Sequence, residues 1–159
     1  MWKKFFILAL AGGVALGSAV AQDKSGDLAV IVGKNCSLDN VTSDELAKIF
    51  RAEKAKDPDG ARYIITAREP GSAERATVLA QIYKMGEDDY SKYFLQATFV
   101  GLVQSAPRQL NGPATTREFV AGTRGAIGCL RASEADDSVK IVKVDGHAPG
   151  DPDYPLKIK

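Results

Sequence analysis

Between Arg68 and Arg75 the chain reads Arg-Glu-Pro-Gly-Ser-Ala-Glu-Arg, which gathers the residue types from which an anion site is made. Gly71 permits a sharp bend and Ser72 can cap a helix starting behind it. The free N–H groups of that first turn point where an oxyanion can rest. Arg68, four residues ahead of Ser72, brings a planar guanidinium able to close on the same position as a fork. Arg75 has two readings, ligand or cover.

Elsewhere the residue types argue against catalysis. The single histidine, His147, lies in a Gly/Pro-rich tail, and no Ser-His-Asp or Cys-His arrangement is in sight to activate a nucleophile. The acid pairs Asp88-Asp89 and Asp136-Asp137 read as solvated surface, so the chain is not expected to be an enzyme or to carry a cofactor. Two cysteines, Cys36 and Cys129, and one histidine far apart in sequence do not make a metal site. The cysteines have two readings. A disulfide between them would close a long loop, credited with about 4 to 5 kcal/mol before strain; otherwise both are buried free thiols.

These residues need elements to position them. Leu28-Ala29-Val30-Ile31-Val32 is the apolar run of a strand covered on both faces. Thr42 and Glu45 form a capping box, Val41 and Leu46 can staple across it, and Leu46, Ile49 and Phe50 supply the buried stripe of the helix that follows. Asp57-Pro58-Asp59-Gly60 is a turn, and a strand is expected over Arg62 to Thr66. Behind Ser72, the spacing of Arg75, Val78, Leu79 and Ile82 predicts an amphipathic helix. Another helix is expected over Glu87 to Val100, with Tyr90, Tyr93, Phe94, Ala97 and Phe99 as its bulk. Loop signals fill Gly101 to Pro113, a short helix spans Thr115 to Ala121, strands run over Gly125 to Leu130 and Val139 to Val144, and Gly146 to Pro155 is a proline-rich tail. Strands alternating with helices predict an α/β domain with a mostly parallel central sheet flanked by helices.

The first 21 residues have the form of a secretory signal: Lys3 and Lys4, an apolar run from Phe5 to Leu16, then Ala19-Val20-Ala21 as a small-x-small cleavage site. The mature chain is expected to begin at Gln22 and to be periplasmic or otherwise secreted; an uncleaved anchor is the alternative. Losing the two leader lysines takes the net charge from +1 to −1. A near-neutral chain with scattered charges lacks the basic stripe of a nucleic-acid binder. Residues 22–159 suit one domain with one core.

Several separated motifs agree with one family. They are Val30-Ile31-Val32-Gly33-Lys34-Asn35, Ser43-Asp44-Glu45-Leu46-Ala47-Lys48-Ile49-Phe50, Arg68-Glu69-Pro70-Gly71-Ser72, Tyr93-Phe94 with Phe99-Val100-Gly101, Gly125-Ala126-Ile127-Gly128, and Tyr154-Pro155-Leu156. In this order the chain resembles the phosphate-type solute-binding proteins of ABC transporters, and more closely their small single-lobe relatives. The resemblance implies a single periplasmic-binding-protein-like lobe, a small anion such as phosphate as ligand, and a membrane transporter or sensor protein as partner. The alternative is an interaction or sensing module that keeps the lobe and has lost phosphate.

Full-length members have two lobes that close on phosphate, and the pattern Arg-x-x-x-Ser-Gly-Thr supplies one lobe's half of the site. Arg68 and Ser72 match it. Ala73 replaces the glycine and keeps its N–H, whereas Glu74 stands at the threonine. The resemblance thus implies ligand contacts from Arg68, Gly71, Ser72, Ala73, Glu74 and Arg75. A carboxylate at Glu74 would repel a bound phosphate by about 4 kcal/mol at an effective dielectric near 20, roughly three decades of affinity. Glu74 therefore turns outward, pairs with Arg68 in the anion position, or serves the helix macrodipole for about 0.3 to 1 kcal/mol. The partner lobe is expected to be missing.

Overall fold

Five consecutive apolar residues, Leu28 to Val32, are at most 2% exposed, because their strand has neighbours on both sides and cover on both faces. The computed structural model describes residues 26–159. The expected leader and the start at Gln22 lie outside them. In chain order the elements are β1 (Leu28–Gly33), β2 (Asn40–Val41), α1 (Ser43–Phe50), β3 (Ile64–Arg68), α2 (Ala73–Val78), a π-helical turn (Leu79–Tyr83), α3 (Glu87–Phe99), β4 (Arg108–Leu110), α4 (Pro113–Gly122), β5 (Ala126–Arg131) and β6 (Val139–Val144). No helix among the described residues is long and apolar enough to cross a membrane.

One six-stranded sheet, ordered β2-β6-β1-β5-β3-β4, organises the molecule. The α/β architecture is as expected and the sheet is mixed. β1 runs antiparallel to β5 and β6, while β2–β6, β3–β4 and β3–β5 are parallel. Strand side chains alternate between faces. Leu28, Val30 and Val32 therefore join the larger core with Phe50, Tyr83, Tyr90 and Phe94, and Ala29 and Ile31 pack against Val120 of α4. Tyr83 meets Phe50, Tyr90 and Phe94 edge-on, the favoured geometry for aromatic pairs.

The capping box of α1 forms as its residues dictate, with Glu45 N–H donating to Thr42 Oγ1 and Thr42 N–H to the Glu45 carboxylate. Val41 and Leu46 are both buried beside it. Phe99 departs from expectation at 90% exposed, because it lies two residues past Ala97 and so on the far side of α3. The stretch read as loop contains β4, an Arg-Gln-Leu edge strand with no apolar run, defined by its pairing to β3.

The disulfide is corrected: Cys36 and Cys129 are both free. Cys129 lies opposite Val30, whereas Cys36 comes after β1 has ended at Gly33. Three residues of strand separate Val30 from Gly33, about 10 Å, beyond the reach of an S–S bond. Cys129 packs instead in the larger core.

Candidate functional site

β3 delivers Arg68 to the sheet end where β1 begins and β5 finishes, and Ser72 starts α2 four residues later. Gly71 makes the turn with φ +86°, a conformation open to glycine at little cost. Ser72 Oγ accepts from Arg75 N–H at 3.2 Å and donates to the Glu69 carbonyl at 2.9 Å. The expected cap is therefore present, and the hydroxyl is spent within the turn.

Arg68 is 7% exposed, and its guanidinium is occupied by the residue beside it. Nε donates to Glu69 Oε2 at 2.9 Å and Nη2 to Glu69 Oε1 at 3.0 Å, while Gly112 N–H adds a third bond to Oε2 at 3.1 Å. A fork and a backbone N–H converging on a carboxylate make an oxyanion cradle, filled by a side chain of the protein. The Arg68 hydrogen bonds hold the Glu69 carboxyl down at about 2. The same pairing raises Arg68 above its ordinary value. The remaining guanidinium nitrogen, Nη1, is buried without a partner among the described residues.

Glu74 is buried at the start of α2 and takes Arg131 Nε at 3.1 Å, so its carboxylate turns inward. It is also one of the charges that act on Arg68, with Glu134, whose Oε2 is buried and unpartnered among the described residues. Arg75 is drawn away: Nη2 donates to Glu87 at 2.8 Å, Nη1 to the Arg68 carbonyl at 3.0 Å, and the guanidinium lies 4.8 Å over the Tyr90 ring. The structure thus gathers Arg68, Gly71, Ser72, Ala73 and Glu74 at one turn, while the Arg75 head group serves as a brace. The void under Arg68, lined also by Arg75, Tyr83, Tyr90 and Cys129, measures about 10 Å³, at most the room of one water and too little for an oxyanion.

Sequence reasoning missed Glu69 and Arg131. Glu69 was visible as the acid next to Arg68, but adjacency along a strand does not say that two side chains fold onto each other. Arg131 lies 57 positions from Glu74 and reaches it only through the sheet.

The opposite sheet end collects a different set. A cavity of about 490 Å³ is lined by Cys36, Asp57, Asp59, Tyr63 and Arg124 among others. Gly125 closes it with φ +82°; a Cβ there would lie 2.1 Å from the Arg62 carbonyl, so the chain can pass only as glycine. Cys36 Sγ lies 3.9 Å from Asp57 Oδ2. Burial pushes the Cys36 thiol up, and Asp57 and Asp59 add to it. Tyr63 is pushed up to about 12, chiefly by burial and then by Cys36 and Asp57.

No protein-family model matches the chain. Its fold is that of phosphate receptors. A protein of Clostridium perfringens described as a phosphate ABC transporter substrate-binding protein, solved with bound phosphate, aligns with TM-score 0.64 and 22% identity over 78% of this chain and 47% of its own. PstS from Borrelia burgdorferi aligns with TM-score 0.64 and 18% identity over 84% of this chain and 55% of its own. An ABC-type phosphate transport receptor from Vibrio cholerae aligns with TM-score 0.58 and 17% identity over 78% and 48%. The chain spans about half the length of these proteins.

Proposed function

We propose that this lobe is a solute-binding domain that recognises a small oxyanion, phosphate or one of similar shape, at Arg68 and the Gly71-Ser72-Ala73 turn, and that Glu69 holds the place until the anion displaces it. The observation that carries the reading is the cradle itself. Arg68 and Gly112 N–H already bind a carboxylate, at 2.9 to 3.1 Å. Binding is exchange of one anion for another, so affinity is set by how far the ligand outcompetes a neighbour in sequence.

Glu74 and Glu134 make a doubly charged ligand costlier than a singly charged one. A protonated oxyanion suits the two open groups, since Arg68 Nη1 lacks an acceptor and Glu134 Oε2 lacks a donor among the described residues. The leader at residues 1–21 supports export, with a membrane transporter or sensor as partner. Trp2 is the one tryptophan, so exported protein cleaved before Gln22 gives no tryptophan emission.

A second reading rests on surface. Leu95, Phe99, Val100 and Leu102 are 58 to 90% exposed on and after α3, an apolar patch of the kind that marks contact with another protein.

Calorimetric titration with phosphate, sulfate and acetate separates the two. Under the first reading Glu69→Gln tightens oxyanion binding by about tenfold, since a neutral amide competes poorly for the fork, Glu74→Thr tightens phosphate most, and Arg68→Ala abolishes binding. No heat with any anion in Glu69→Gln or Glu74→Thr sinks it and leaves the surface reading.

A further inference from the structure

We propose that Cys36, Asp57 and Asp59 form a binding site for a divalent ion of the zinc class, at the end of the sheet opposite Arg68. Their thiol and carboxylate ligand atoms all lie within 4.8 Å of one another. Around tetrahedral zinc, with Zn–S near 2.3 Å and Zn–O near 2.0 Å, sulfur and oxygen are about 3.5 Å apart. The Cys36 to Asp57 separation of 3.9 Å needs only a small closure to match.

Three local features prepare the ligands. Asp57 is buried and accepts Ala61 N–H at 2.7 Å through Oδ1, which leaves Oδ2 turned to the sulfur. Asp59 is fixed by both donors of Ser37, the residue after the thiol, with N–H at 2.7 Å. Outer-shell bonds of this kind orient metal ligands. Two nearby cations are committed elsewhere: Lys140 Nζ to the Cys36 carbonyl and Asp39, and Arg124 to the Asp59 carbonyl. Neither closes on the carboxylates.

An independent observation points to a ligand. Tyr63 is nine-tenths buried, lines the same cavity, and its hydroxyl has no hydrogen-bond partner among the described residues. A metal-bound water beside Asp57 would give that hydroxyl an acceptor, and the cavity of about 490 Å³ has room for one. One thiolate with two carboxylates is a mixed set. The sulfur selects against magnesium and calcium, and the oxygens select against copper(I), a combination that suits a borderline divalent ion such as zinc, with cobalt as its spectroscopic substitute. Binding releases the thiol proton to solvent and forms a metal–sulfur bond; no electron moves.

The test uses the full chain, kept reduced, titrated with cobalt(II) and then zinc. One equivalent of cobalt should bind with a near-ultraviolet thiolate-to-metal band that zinc abolishes and magnesium leaves. Cys36→Ser should lose the band, Cys129→Ser should keep it, and Asp57→Asn and Asp59→Asn should each weaken binding by about tenfold or more. Asp59 is exposed, so its variant is expected to fold even if the buried positions do not tolerate change. No band in the unaltered protein overturns the site, as does a band that survives Cys36→Ser or is indifferent to Asp59→Asn.

Discussion

At the Arg68 end of the sheet three acids each have a cation against them: Glu69 on Arg68, Glu74 on Arg131, Glu87 on Arg75. At the other end, about 16 Å from Arg68 back to Tyr63 at 3.3 Å per residue, Asp57 and Asp59 crowd a thiol, while Lys140 is held by the Cys36 carbonyl and Asp39 and Arg124 by the Asp59 carbonyl. The first end resembles a receptor site already satisfied by its own carboxylate, so a ligand must be exchanged for what is there. The second has gathered like charge and an orphan hydroxyl, with Asp57 and Asp59 held by Ala61 and Ser37 donors and no cation against them among the described residues. One sheet thus presents an anion position that is full and a cation position that is prepared.

The contrast breaks most visibly if Arg68 is removed. Arg68→Ala leaves Glu69 without its fork and Glu74 and Glu134 without a shared buried cation, and should lower unfolding stability by about 2 kcal/mol, below the full cost of breaking a buried pair because Glu69 is a third exposed. Equal thermal midpoints for the two proteins would mean the fork holds nothing. Arg131→Ala should cost about 1 kcal/mol by leaving buried Glu74 unpaired, read from the same denaturation curves; an unchanged curve would show Glu74 to be solvated.

Acid titration sharpens the comparison. The folded Glu69 carboxyl is held near 2 against an ordinary 4.5, so its contribution is complete above about 4.5 and is lost as pH falls toward 2. Glu69→Gln should therefore flatten the fall in stability across that window, and parallel slopes would contradict the pairing. At the opposite end the effect should be small. Tyr63→Phe deletes a hydroxyl that bonds to nothing among the described residues, so stability should change by less than about 0.5 kcal/mol or rise; a loss above 1 kcal/mol would reveal a partner.

The frame of the fold was legible because it follows from local rules. An unbroken apolar run gave β1, Thr42 and Glu45 gave the start of α1, and Ser72 gave that of α2. β2 and β4 were illegible, since two or three polar-leaning residues become a strand only through the neighbour they pair with. The site divided the same way. Arg68, Gly71 and Ser72 stand out by spacing, but their state depends on Glu69 and Arg131, and side-chain pairing across a sheet leaves no periodic mark. The Asp57-Pro58-Asp59-Gly60 turn was readable as a turn, and its second use beside Cys36 appears only when the sheet brings the end of β1 and the start of β3 to one edge, on either side of β5.

The central claim is that an anion takes the place of Glu69 at Arg68, and the Glu69 side-chain carboxyl reports on it directly. Its carbon resonance, followed by NMR through an acid titration, should give a midpoint near 2 without added anion. With phosphate or sulfate present the midpoint should climb toward the ordinary 4.5 as the freed carboxylate returns to water. A midpoint that stays low at every anion concentration, with the Arg68 and Gly112 resonances unmoved, would contradict the exchange.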